Sequence, residues 1–84
     1  MEIRLKKQPK KYLASVDAKT YDKLTRALEK LKNLDGDIVC INPKKNLYRY
    51  KIEHYRIIFF YSGCKIIIVE TIDTRTNIKY RRYQ

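Results

Sequence analysis

Eighty-four residues, twenty of them Lys or Arg and nine Asp or Glu, make a chain of net charge +11 with room for one domain. That length excludes a multidomain enzyme, a Rossmann nucleotide binder and a barrel. An apolar content of 44% with two Gly and two Pro excludes a disordered or linker sequence. So much positive charge on a folded domain points to a polyanionic partner: nucleic acid, an acidic protein or an anionic membrane surface.

Ile3 and Leu5 alternate with charged residues, which predicts a short opening strand. Pro9 stops it and suits the start of a short helix through Tyr12, Leu13 and Val16. Asp17 is a natural N-cap for a second helix. There Tyr21, Leu24, Leu28, Leu31 and Leu34 recur at helical spacing, with Lys19, Lys23, Arg26, Lys30 and Lys32 mostly off the stripe. Gly36, within Asp35-Gly36-Asp37, supplies the left-handed residue that ends the helix.

Beyond Gly36 the period changes from helical to alternating. Leu47–Ile52, Tyr55–Tyr61 and Lys65–Ile72 are β-branched and aromatic runs. Ser62-Gly63 and Glu53-His54 are short connections, so the three runs form an antiparallel meander. The expected architecture is α+β: a four-stranded, mainly antiparallel sheet with two helices on one face. Residues 1–84 form a single domain in the order β-α-α-β-β-β.

Cys40 and Cys64 sit in apolar surroundings, and two Cys with one His make no metal site. Reduced thiols that are buried or inert are expected. Met1–Lys7 leads into no apolar signal segment, and Ile57–Tyr61 is far too short to span a membrane. A cytoplasmic protein is therefore expected, without metal or cofactor.

Charge is uneven along the chain. Residues 1–40 carry ten bases and six acids (10 − 6 = +4), residues 41–84 ten bases and three acids (10 − 3 = +7). The cations of the second half sit among Tyr48, Tyr50, Tyr55, Tyr80 and Tyr83. Cations for phosphates and rings for bases are the means by which proteins hold single-stranded RNA. The plainer interpretation is a sheet rich in Tyr with a solvated basic surface.

Three segments sharpen the choice. Tyr48-Arg49-Tyr50-Lys51, Tyr55-Arg56-Ile57-Ile58-Phe59 and Ile72-Asp73-Thr74-Arg75 closely resemble, in this order, the C-terminal half of the RelE/ParE superfamily of toxins. The helical hairpin with its Leu-rich second helix fits the N-terminal half. This resemblance implies a toxin of a type II toxin–antitoxin system, closer to the RelE-like mRNA interferases. Such a protein enters the ribosomal A site on the 30S subunit and cuts mRNA by attack of a 2′-hydroxyl. A cognate antitoxin neutralises it in a hetero-oligomer.

Carried over by motif, Arg49 and Lys51 fall on the basic strand positions, Arg56 on the Tyr-Arg position and Arg75 on the Arg after the last strand. The aromatic role falls to Tyr80 or Tyr83, with Tyr80 placed in the catalytic set and Tyr83 among the RNA contacts. Lys44, Lys45, Lys79, Arg81 and Arg82 are further expected RNA contacts. The reaction needs a base, cations for a phosphorane and an acid for the 5′-oxygen. Lys51, crowded by guanidiniums, is the expected base. His54, in a short turn, is expected to be a surface residue. Two alternatives stay open: a ParE-like gyrase inhibitor of the same fold, and a non-catalytic basic RNA-binding module.

Overall fold

The computed structural model describes residues 1–83; Gln84, the last residue of the expected domain, lies outside the described residues. In chain order the elements are β1 (Glu2–Leu5), α1 (Lys7–Ser15), α2 (Ala18–Leu31), β2 (Asp37–Asn42), β3 (Leu47–Ile52), β4 (Tyr55–Phe60) and β5 (Ile66–Thr74). Pro43–Lys45 and Tyr80–Tyr83 form short 3-10 turns. The class is α+β, but the sheet has five strands where four were expected, in the order β1-β5-β4-β3-β2. Its meander is antiparallel, whereas β1 runs parallel to β5, so the sheet is mixed.

The additional strand is β2. Its run Ile38-Val39-Cys40-Ile41 is apolar at every position, so it carries no alternation to announce it. An apolar strand this short is read from sequence only by its boundaries, here Gly36 and Pro43. The same strand carries one of the two thiols. Both cysteines are free, as expected, but both are exposed. Cys40 lies on the outermost strand and Cys64 in the β4–β5 hairpin, where no neighbouring element covers them.

Helices α1 and α2 cover one face. Leu13, Leu24, Ala27, Leu28 and Leu31 pack with Tyr50, Ile57, Phe59, Ile67, Val69 and Ile72 in the main core. Tyr21, expected on that stripe, is 47% exposed at the helix margin. The helix ends differently from expectation too. Leu34, not Gly36, is the left-handed residue after the helix, at φ 52°. Its amide donates to Leu31 O and that of Asp35 to Lys30 O, the two bonds of a Schellman cap. Gly36 serves another purpose. A Cβ there would stand 2.7 Å from the Tyr50 hydroxyl, so the glycine lets the buried ring of Tyr50 lie against the backbone.

At the other edge the parallel ladder is extended by a side chain. After Leu5, opposite Val69, the Gln8 carboxamide donates to Ile72 O (2.8 Å) and accepts from Ile72 N (2.9 Å). One amide side chain thus supplies the donor and acceptor that another strand residue would have offered.

Candidate nucleic-acid interface

The second face of the sheet is built by the residues between the core positions. Successive strand side chains point to opposite faces. With Tyr48, Tyr50 and Ile52 under the helices, Leu47, Arg49 and Lys51 face the other way; with Tyr55, Ile57 and Phe59 under the helices, so do Arg56, Ile58 and Phe60. Register then sets a row of charges across four strands. Asp37 is opposite Lys51, Lys51 opposite Arg56 and Arg56 opposite Asp73. The next row inward is Val39, Arg49, Ile58 and Thr71.

The C-terminal segment folds back over this face. Ile78 packs with Leu47 and Ile58 in a second apolar cluster that Ile41, Phe60, Tyr80 and Tyr83 border. Asn42 Nδ2 donates to Tyr83 O at 2.6 Å, and the Tyr83 and Thr71 hydroxyls share a hydrogen bond. The segment therefore carries Lys79, Arg81 and Arg82 onto the face that holds Arg49, Lys51 and Arg56. Lys79, Arg81 and Arg82 are exposed, and Lys79 and Arg82 line a recess with Gln8, Thr71, Asp73 and Tyr83. Lys44 and Lys45, also exposed, stand in the turn between β2 and β3.

The four central cations have different surroundings. Lys51 is exposed and forms no ion pair among the described residues. Arg49 donates from Nη2 to Asp37 Oδ1 at 3.2 Å, while its Nε is buried with no hydrogen-bond partner among the described residues. Arg49 also lines a shallow notch with Val39, Ile41 and Tyr80. Arg56 is only 8% exposed, and its Nη1 donates to Glu53 O and Tyr55 O, both at 2.9 Å. Glu53 has φ 50°, so this guanidinium ties down a left-handed turn. Arg75 is exposed just past β5, and its amide donates to His54 O at 2.7 Å, which sets it beside the β3–β4 turn. His54 is exposed in that turn.

The expected mixing of tyrosines with cations holds for the tail only. Tyr48, Tyr50 and Tyr55 belong to the helix-covered face, with Tyr48 stacked on Phe59 at 5.5 Å between ring centroids. Strand alternation separates them from Arg49 and Lys51, which are their neighbours in sequence. Burial, and secondarily Asp35, raises the Tyr50 phenol above its ordinary pKa. Tyr80 and Tyr83 alone among the five share a face with the cations.

A second basic strip is formed by bases that the sequence places off the apolar stripe of α2, where no site was expected. Lys19, Lys23, Arg26 and Lys30, at spacings of four, three and four, line an open groove of about 640 Å³ between α2 and the β3 end. Lys23 pairs with Glu53 across it at 2.6 Å, which holds the Glu53 carboxyl below its ordinary pKa. No cluster of His, Cys, Asp or Glu able to hold a metal occurs among the described residues, nor does a helix long and apolar enough to cross a membrane. No protein-family model matches the chain, and no curated protein sequence matches it.

Proposed function

We propose that the chain is a RelE-like toxin of a type II toxin–antitoxin system, a ribosome-dependent endoribonuclease that cuts mRNA in the A site. The observation that carries this reading is the sharing of one sheet face by Arg49, Lys51 and Arg56 with the tail that bears Tyr80, Arg82 and Tyr83. Those side chains supply what cleavage by a neighbouring 2′-hydroxyl requires. Lys51, exposed and in no ion pair among the described residues, takes the hydroxyl proton as its free amine. Arg49, with an unpartnered Nε, and Arg75 offer fixed positive charge to the phosphorane. Tyr80, beside Arg49 in the notch, or Tyr83 stacks on a base. As the 2′-oxygen bonds to phosphorus the bond from phosphorus to the 5′-oxygen breaks, and the leaving oxygen takes a proton from solvent water, giving a 2′,3′-cyclic phosphate and a 5′-hydroxyl. Arg56 is a positioning residue in this scheme, because its guanidinium is committed to the turn that sets Lys51 opposite it. The partners are an acidic cognate antitoxin, the 30S A site and mRNA, in the cytoplasm.

A ParE-like gyrase inhibitor or a non-catalytic RNA-binding module is the second reading. The burial of Arg56 and the pairing of Arg49 with Asp37 favour it, since both withdraw charge from a phosphate site. Primer extension on mRNA in a purified translation system separates the readings. Lys51→Ala and Arg75→Ala should each slow A-site cleavage by about 10²-fold, the scale of one lost transition-state group, with an unchanged melting temperature. A folded wild-type protein that leaves A-site codons intact yet blocks gyrase supercoiling would refute the nuclease reading.

A further inference from the structure

The two edges of the sheet are defended unequally. β1 is four residues long, its Glu2 and Arg4 are exposed, and Lys6 and Lys7 follow directly. Short length and charge are the usual guards against pairing with another chain. β2 is guarded only at its ends, by Asp37 at its start and by a register shift between Cys40 and Asn42. It is six residues long, and between Asp37 and Asn42 it contains no charge and no proline. Val39 is 48% exposed. Among the described residues β2 pairs with β3 alone, so alternate backbone N–H and C=O groups on its outer side have no strand to meet.

Each face of this edge carries an apolar recess. Under the helix side lies one lined by Leu34, Ile38, Tyr48, Phe59 and Tyr61. On the opposite side lies the notch of Val39, Ile41, Arg49 and Tyr80. An added strand sends alternate side chains to the two faces, so it would fill both at once. Leu34 forms the lip of the first recess while 37% exposed and held at positive φ, a conformation disfavoured for leucine. An exposed leucine kept in a strained backbone beside an edge guarded only at its ends is unusual for a surface with no partner.

We propose that β2 is a docking edge, onto which an extended segment of a partner protein, apolar at successive positions and flanked by acidic residues, adds as a further strand. The charge selects this occupant over a second copy, which would bring +11 against +11. Lys44 and Lys45 follow the strand after Pro43, and Lys30, Arg49 and Lys51 surround Asp37 at its start, so acidic ends on the incoming segment find cations near both ends of β2. The docking edge does not depend on any RNA chemistry of the open face.

The probe is a short synthetic peptide of valine and isoleucine with glutamates at both ends, compared with the same peptide N-methylated along one edge. Amide exchange by NMR and fluorescence anisotropy report binding to the full chain. The unmodified peptide should slow exchange of alternate β2 amides about tenfold or more and leave β1 unchanged. Both N-methylation and Val39→Lys should weaken binding about tenfold or more. The lysine adds attraction for glutamate, so a loss there reports the edge and not the charge. Equal binding of the N-methylated peptide, undiminished binding by a folded Val39→Lys variant, protection at the α2 groove or β1 in place of β2, or no binding would overturn the proposal. So would a concentration-dependent dimer through β2 that the peptide does not dissociate.

Discussion

Two faces of the same three strands are held in different ways. Under the helices, Ile57, Phe59, Ile67, Val69 and Ile72 are fully buried, and dispersion and desolvation fix them. On the other face, Leu47, Ile58 and Ile78 make a much smaller apolar cluster, and the remainder is fixed by polar contacts. Arg56 caps a turn, Asp37 meets Arg49, Asn42 meets the backbone of Tyr83, and Tyr83 meets Thr71. The contrast teaches that one face carries stability while the other is free to carry charge. A +11 chain can concentrate cations on a sheet only if the opposite face supplies the core.

Substitutions on the two faces should therefore differ in size. Phe59→Ala, at the centre of the helix-covered face, should cost about 3–5 kcal/mol in urea unfolding. A cost under 1 kcal/mol would mean that this face is not the core. Arg56→Ala removes a buried guanidinium and two charge-assisted hydrogen bonds, and should cost about 2–3 kcal/mol. The sequence alone suggests that Arg56 can be removed without thermal effect; its 8% exposure reverses that expectation. Arg56→Ala with wild-type stability would return the residue to the surface and weaken the comparison. Tyr83→Phe deletes only the hydroxyl contact with Thr71, and should cost about 1 kcal/mol by the same unfolding measurement.

The smallest effect is electrostatic. Lys23 lowers the Glu53 carboxyl pKa, chiefly by a hydrogen bond, so the folded state prefers the carboxylate more than the unfolded chain does. This contribution is complete above the ordinary glutamate range, near about 4.3, and is lost as pH falls through the lower folded value. Glu53→Gln should flatten that acid limb slightly in a pH series of melting temperatures. Because the pair is exposed, added salt should shrink the difference further.

Where the sequence was legible, periodicity was the reason. The 3.6-residue stripe gave Leu24, Leu28 and Leu31, and β-branched runs gave the three meander strands within two residues of their ends. Local signals fell short wherever a distant contact decided the outcome. Gly36 looked like a helix terminator because glycine is the usual left-handed residue, but what demands it is the ring of Tyr50, fourteen positions on. Arg56 stood among the expected catalytic cations, and nothing in a Tyr-Arg-Ile pattern reveals that the carbonyls of Glu53 and Tyr55 are both aimed at it. Pooling the tyrosines with the cations ignored the period of two, which was available in the sequence all along. The placement of Arg49, Lys51 and Arg56 on one face follows from that same period and the tight Glu53-His54 turn.

The parallel pairing of β1 with β5 has a consequence for synthesis. β1 leaves the ribosome before β5, the strand it sits beside, and the Gln8 carboxamide waits for Ile72, 64 residues later. Until β5 emerges, β1 has no ladder and β4 lacks one neighbour, so the nascent chain presents Ile57 and Phe59 in a sheet open on one side. Long-range closure of this kind slows folding and comes late. Synthesis thus withholds the complete sheet, and with it the assembled basic face, until β5 and the segment that folds back over it have been translated.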